Sequence, residues 1–438
     1  MEDRRLDGAV TRAQRRLVPF LLLMYVLSFL DRANIGFAKE AFQASAGISA
    51  AAYALGAGLF FLTYAATELP SNLIMHKVGA RIWMCRIMVS WGLISAATMF
   101  VRGEMSFYVV RLLLGAAEAG FFPGVILYLT YWFPARTRGR ILGLFYFGAP
   151  LSFIVGGPLS GLLIEMHGYL GLEGWQWMFM IEGLMATAVG VWAYWYLDDK
   201  PSDAAWLPAD ESHVLTAAID TEERAKARHG LSSLGVIFRL PRVWQFVVIY
   251  FLIQMSVYGV SFYLPAQVAA LLGTRIGLEV GLVSAIPWLC ALIATFFLPR
   301  FADRYGAHRW LAAATLAVSG FGIAVSAGAG PAIALVALSF AAAGFIAVQP
   351  MFWTFPTNYL GGVAAAGGIA VINALSALGG FTAPNIKNWA DASLGAPAGL
   401  YTLAGTTLIG AVFILALRRE PTAEPATELA ASSSPTSA

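Results

Sequence analysis

The sequence predicts an all-α polytopic membrane protein in which twelve transmembrane helices form two pseudo-symmetric six-helix bundles. Three observations carry that expectation. Of 438 residues, 59% are hydrophobic and only 12% charged, and the mean hydropathy is +0.70, far from an ordinary water-soluble domain. Apolar stretches of about 20 residues recur along the chain, the length a helix needs to cross a hydrocarbon core about 30 Å thick. The basic residues also sort by side. With both termini cytoplasmic, every Lys and Arg outside the membrane falls in a cytoplasmic segment except Lys39, Arg102, Arg275 and Lys387, and this bias sets orientation. The net charge of +3 is therefore a topology signal and implies no nucleic-acid partner.

The apolar stretches lie near 17–38, 53–76, 82–101, 106–133, 139–166, 175–197, 243–269, 278–299, 309–328, 331–355, 365–388 and 396–417. Residues 1–16 are expected to be a cytoplasmic segment, 17–197 the N-terminal bundle, 198–242 a cytoplasmic linker, 243–418 the C-terminal bundle and 419–438 a disordered tail. The first stretch follows Arg4, Arg5, Arg12, Arg15 and Arg16 and imitates a secretory signal. However, Ala44-Ser45-Ala46 is too distant to be its cleavage site and Asp31-Arg32 interrupts it, so it reads as a retained span. Cys85 and Cys290 fall inside spans, which leaves neither a disulfide framework nor a metal site. In the fourth stretch, Arg111 and Glu118 are seven residues apart, two helical turns. They share a face, about 10.5 Å apart along the axis. A charge in the bilayer core costs on the order of 2.5 kcal/mol or more, so that face must point at protein or water. Pro123 is expected to bend the same span, and Pro350 and Pro356 the tenth.

In the fifth stretch, Gly157-Pro158-Leu159-Ser160-Gly161 partly matches an antiporter signature, and its small residues equally permit close helix contact. The linker contains Pro208, Asp210 and Glu211 ahead of alternating charges, which reads as a short helix start. The halves echo each other: Lys77-Val-Gly79-Ala-Arg81 follows the second span, and Asp303-Arg304-Tyr-Gly306-Ala-His-Arg309 follows the eighth. Such repeats build transporter folds around a midplane cavity. No phosphate-cradling loop, nucleophile elbow or metal-ligand spacing occurs, and the five histidines have no catalytic partner, so no enzyme is expected.

These glycine-basic loops resemble the loop signature of the major facilitator superfamily, over both halves of the chain. The first copy departs from the pattern at His76, where the superfamily usually places an aspartate, whereas the second keeps Asp303. Leu30-Asp-Arg-Ala-Asn-Ile-Gly-Phe37, Glu68-Leu-Pro-Ser-Asn72, Arg111 through Pro134, Gly174 through Glu182 and Phe352-Trp-Thr-Phe-Pro356 are similar to its anion:cation symporter family. The resemblance implies import of an organic anion with protons. It implies a substrate-contacting Tyr64, cavity-facing Gln254, Tyr258 and Asn373, a stacking or gating Trp353, and gating loops at Lys77, Gly79, Arg81, Asp303, Arg304 and Gly306.

Helix direction turns spacing into depth. Asp31 lies about 22 Å into the first span, past the midplane, and Arg111 enters from the other side to a similar level. Asp31, Arg32 and Arg111 are thus expected to share the outer half of one cavity, with Glu118 beneath them. Arg32 and Arg111 are expected to bind the anion, since a guanidinium grips a carboxylate bidentately and stays charged. Asp31 and Glu118 are expected to carry protons, with the unprotonated acid competing with cargo for an arginine. The opposing reading is that all four are ion-paired to hold the bundle together.

The expectation is a monomeric carrier in a bacterial inner membrane. Its partners are protons, lipid and a small carboxylate such as a sugar acid, a hydroxy-dicarboxylate or an aromatic acid. The proton gradient supplies the energy and no cofactor is needed. Proton-driven export of hydrophobic compounds and a non-transporting membrane sensor are the alternatives.

Overall fold

The computed structural model describes residues 2–227, 240–359 and 362–417. Twelve of its helices are long and apolar enough to cross a membrane. The first six are Arg4–Ser45, Ala50–Val78, Ala80–Phe100, Gly103–Trp132, Arg136–Ile164 and Gly174–Tyr196. The second six are Pro241–Leu272, Leu278–Tyr305, His308–Gly328, Pro331–Thr357, Gly368–Leu394 and Ala398–Leu415. No strand occurs among the described residues. Large apolar side chains such as Leu73, Phe100, Trp195, Phe321 and Val412 are exposed on the bundle surface, as suits a multi-pass protein solvated by lipid.

The buried apolar residues form two clusters, one drawn mostly from the chain before residue 220 and one mostly from the chain after 242. Each half therefore packs a core of its own. A few side chains cross over: Tyr258, Phe262, Tyr263 and Ala377 join the first core, and Ala33 and Phe153 join the second. At the end of the molecule opposite the linker helix, the bundles meet through glycine. A Cβ on Gly157 would stand 2.7 Å from the Gly281 carbonyl oxygen, so the fifth and eighth spans touch backbone to backbone, and Gly161 meets Gly277 in the same way. Phe153 and Trp288 stack beside this contact with ring centroids 3.9 Å apart. The second and eleventh spans interlock at the same end, with Gly58 against Phe381 and Gly380 against Phe61.

The N-terminal segment is helical, and one local expectation is corrected. The helix of the first span begins at Glu2, so the stretch before residue 17 is helical and continuous with the span. Its partner is the linker helix Ala209–Ala227: Arg12 pairs with Glu211 at 3.0 Å, Arg5 with Asp210 at 3.7 Å, and Ala9 and Ala13 are buried in one cluster with Leu215. The fourth span is interrupted at Ala119–Gly120, and Pro123 is not the break. Gly120 has φ +89°, and Ser71 stands where a side chain at that position would project. Pro123 then falls in the first turn of the helix Phe121–Trp132, where its missing N–H costs nothing. Pro350 and Pro356 sit inside one continuous helix, Pro331–Tyr359. Linker residues 228–239 and the expected disordered tail lie outside the described residues.

Candidate functional site

A partly open cavity lies between the bundles. The N-terminal half contributes Arg32 and Tyr64 to its wall, and the C-terminal half Tyr250, Gln254, Tyr258 and Asn373. The seventh span supplies three of these because Tyr250, Gln254 and Tyr258 are four residues apart and so form one stripe.

Arg32 is the centre of the site. Its Nε and Nη2 donate to Glu118 Oε1 at 2.9 and 2.6 Å, and its Nη1 donates to the Tyr258 hydroxyl at 3.0 Å. Ser28, one turn earlier on the same helix, donates to the same Glu118 oxygen at 2.8 Å. The guanidinium carbon stands 5.0 to 5.5 Å from the ring centres of Phe29, Tyr64 and Phe60. Aromatic faces of this kind stabilise a desolvated cation. Glu118 is fully buried behind Arg32, and its Oε2 has no partner. The arrangement links the first and fourth spans to the seventh, and thereby joins the two bundles through a single guanidinium.

The expected four-charge cavity is not what forms. Arg111 is 2% exposed and off the cavity wall; it donates to the carbonyls of Gly56 and Ala57 at 3.3 and 3.4 Å and lies over the Phe60 ring. Its partners are second-span carbonyls because it sits two turns from Glu118, too far along the axis to share Arg32's position. Asp31 is also off the wall and accepts a short hydrogen bond from Ser95. It points about 100° round the helix from Arg32, toward Ser95 of the third span. Trp353 likewise lies off the wall. It packs behind the wall against Tyr250, with centroids 4.8 Å apart.

Tyr64, Gln254, Tyr258 and Asn373 do line the cavity. Asn373 Nδ2 donates at 2.7 Å to Glu68 Oε1, a second side-chain bond between the bundles, and Glu68 is 1% exposed. The loop residues lie away from the cavity. Gly79 and Gly306 have φ of +100° and +61°, the turn-forming values that favour glycine. Lys77 and Arg304 are exposed, the Arg81 backbone N–H donates to Asp199 Oδ1 at 2.9 Å, and Asp303 pairs with His308 at 2.8 Å. His76, where the pattern lacks its aspartate, meets the Tyr131 hydroxyl at 3.0 Å.

Sequence reasoning missed Ser28, Tyr25, Tyr146 and Tyr250. Ser28 and Tyr250 were legible as the i−4 neighbours of Arg32 and Gln254, whereas Tyr25 and Tyr146 look like any aromatic in a span. Among the described residues, no group of His, Cys, Asp and Glu is placed to hold a metal, and Cys85 and Cys290 are free.

Two bundles with private cores, joined around a cavity that holds one buried cation, define a membrane carrier and not an enzyme. The chain belongs to the Major Facilitator Superfamily, whose model matches residues 21–384. It is 49% identical to the inner membrane transport protein RhmT of Escherichia coli, over 94% of this chain and 96% of that one. It is 42% identical to a putative tartrate transporter of Agrobacterium vitis, over 92% and 93% of the two chains. In fold it is similar to the xylose transporter XylE of E. coli in a partially occluded inward-open conformation, with a TM-score of 0.75, 16% identity, and 94% and 100% of the chains covered.

Proposed function

We propose that the protein imports a small organic anion together with protons by alternating access, the two bundles rocking about the cavity. The observation that carries this reading is Arg32, a guanidinium on the cavity wall whose counter-ion is the buried carboxyl of Glu118. A carboxylate cargo competes with Glu118 for that guanidinium. A proton on Glu118 removes the competitor, so loading the anion and loading the proton favour each other. Tyr64, Gln254, Tyr258 and Asn373 hold the rest of the cargo, and Asp31, bonded to Ser95, is the second acid in the proton pathway. With the termini cytoplasmic, the end at which Gly157 and Gly161 meet Gly281 and Gly277 faces outward. The names of two relatives specify tartrate, which keeps hydroxy acids in the range of cargo.

Purified protein in proteoliposomes with an imposed pH gradient tests this. Accumulation of a labelled organic acid against its gradient, abolished by a protonophore, is expected. Gradient-driven expulsion of hydrophobic compounds makes it an exporter instead, and acid binding without flux makes it a sensor.

A further inference from the structure

We infer that Arg86 and Trp83 of the third span hold the phosphate of an anionic phospholipid, in the leaflet on the linker-helix side of the membrane. The site lies on the outer surface of the N-terminal bundle, apart from the cavity, and does not depend on the cargo.

The first part is the face on which Arg86 lies. The third span turns Met88 and Gly92 toward the sixth, where Gly190 meets Met88 and Gly183 meets the Gly92 carbonyl oxygen. Arg86 is two residues before Met88, about 200° round the helix and so on the far side from that contact. Ile82, Arg86, Val89 and Leu93 fall on one stripe at helical spacing, and Ile82 and Leu93 are 48% and 51% exposed. Exposed aliphatic side chains along a membrane span mark a surface solvated by lipid. A charged residue in a span ordinarily faces the bundle interior and finds a counter-ion there. Arg86 does not: its Nε is buried without a partner, and among the described residues no carboxylate pairs with the guanidinium. The acids at this end of the bundle are engaged elsewhere, Asp198 accepting from the Trp206 indole at 2.8 Å and Asp199 from the Arg81 backbone N–H at 2.9 Å.

The second part is depth and shape. The helix starts at Ala80, which puts Arg86 about 9 Å along its axis, and side chains on a helix lean back toward its start. The guanidinium accordingly stands over the Trp83 ring, 3.9 Å from its centre, at the level where indoles and snorkelling cations meet the headgroups. Trp83 is itself held, its Nε1 donating to Ser71 Oγ of the second span at 3.0 Å. Stacked on the indole by one face, the guanidinium keeps N–H groups along its edge for a phosphate, which it grips through two parallel bonds. A zwitterionic lipid brings its own cation to its phosphate, whereas phosphatidylglycerol does not, so an arginine without a counter-ion favours the anionic lipid. A lipid fastened there also braces a joint of the bundle, because Ser71 packs against Gly120 at the interruption of the fourth span.

The test is native mass spectrometry of the full-length protein in detergent micelles doped with equal amounts of phosphatidylglycerol and phosphatidylcholine of matched chains, with the melting temperature read in each lipid alone. Protein carrying one lipid is expected to retain phosphatidylglycerol at least fivefold over phosphatidylcholine, and phosphatidylglycerol should raise the melting temperature more. Arg86→Gln is expected to lower that preference at least threefold. Should it not fold, Arg86→Lys, which keeps the charge and loses the fork, is expected to lower it at least twofold. Arg15→Gln removes an equal charge from an exposed position on the first helix and is expected to leave the preference within about 1.5-fold of wild type. Equal retention of the two lipids by wild type, an unchanged preference in the Arg86 variant, or an equal fall in Arg15→Gln overturns the inference. Displacement of phosphatidylglycerol by millimolar inorganic phosphate makes this a water-filled anion site and overturns the lipid assignment.

Discussion

Glu118→Gln separates binding from proton coupling. The substitution keeps the side chain's volume and the oxygen that accepts hydrogen bonds, and removes its charge. That single oxygen takes three donors in the structure, Ser28 Oγ at 2.8 Å and Arg32 Nε and Nη2 at 2.9 and 2.6 Å. The two from Arg32 join ion to ion; with glutamine the guanidinium still donates, but to a neutral oxygen, so each bond loses about 1 kcal/mol of its charge assistance. Neutralising the acceptor therefore weakens its hold on Arg32 by about 2 kcal/mol. This falls below the 3–5 kcal/mol typical of deleting a buried partner outright, because Arg32 keeps Tyr258 and an edge on the cavity. An incoming carboxylate no longer has to displace that grip, and 1.4 kcal/mol is a factor of ten in affinity. On the proposed mechanism, calorimetry should therefore show the anion bound about tenfold or more tighter than by wild type at neutral pH, with its pH dependence flattened. Counterflow should persist while accumulation driven by a pH gradient is lost. Wild-type accumulation by Glu118→Gln, or an affinity that does not rise, would refute the competition between Glu118 and cargo.

The two arginines should behave differently under the same exchange. Arg32→Lys loses the fork shared by Glu118 and Tyr258 and is expected to weaken anion binding at least tenfold, whereas Arg111→Lys, remote from the cavity, should change affinity less than threefold while lowering the melting temperature; equal affinity losses would put Arg111 back at the site. Gly157→Ala sets a methyl 2.7 Å from the Gly281 carbonyl oxygen and must part the fifth and eighth spans by about half an ångström or more. Increased labelling of a cysteine introduced at Leu159 or Leu278 is expected, and unchanged labelling would show that the contact yields elsewhere. Trp353→Phe should leave affinity within about threefold of wild type because the indole packs behind the wall; a tenfold loss in calorimetry would place it on the cargo. Asn373→Ala removes both a wall amide and the bond to Glu68, and is expected to reduce affinity by about tenfold; an unchanged value would make the Glu68 bond purely structural.

The sequence by itself determined the spans, their number, and the rule that Asp31, Arg32, Arg111 and Glu118 must turn away from lipid, because each of those follows from one-dimensional quantities: length, periodicity and the cost of a charge in hydrocarbon. Even part of the site was legible there. Gln254 and Tyr258 share a helical stripe. Which buried charge meets the cavity was a different kind of question. Helical phase says that Arg111 and Glu118 lie on one face, but it does not say that this face meets Gly56 and Ala57 at one level and Arg32 at the other. That depends on how the fourth span is rotated against the first and second, and on its interruption at Gly120, which packs against Ser71 of another helix. The Glu68–Asn373 bond joins positions 305 residues apart and has no local signature at all. Only the packing of one bundle against the other could bring an orphan acid and an amide together, since contact across such a distance is set by three-dimensional shape and not by any repeat along the chain.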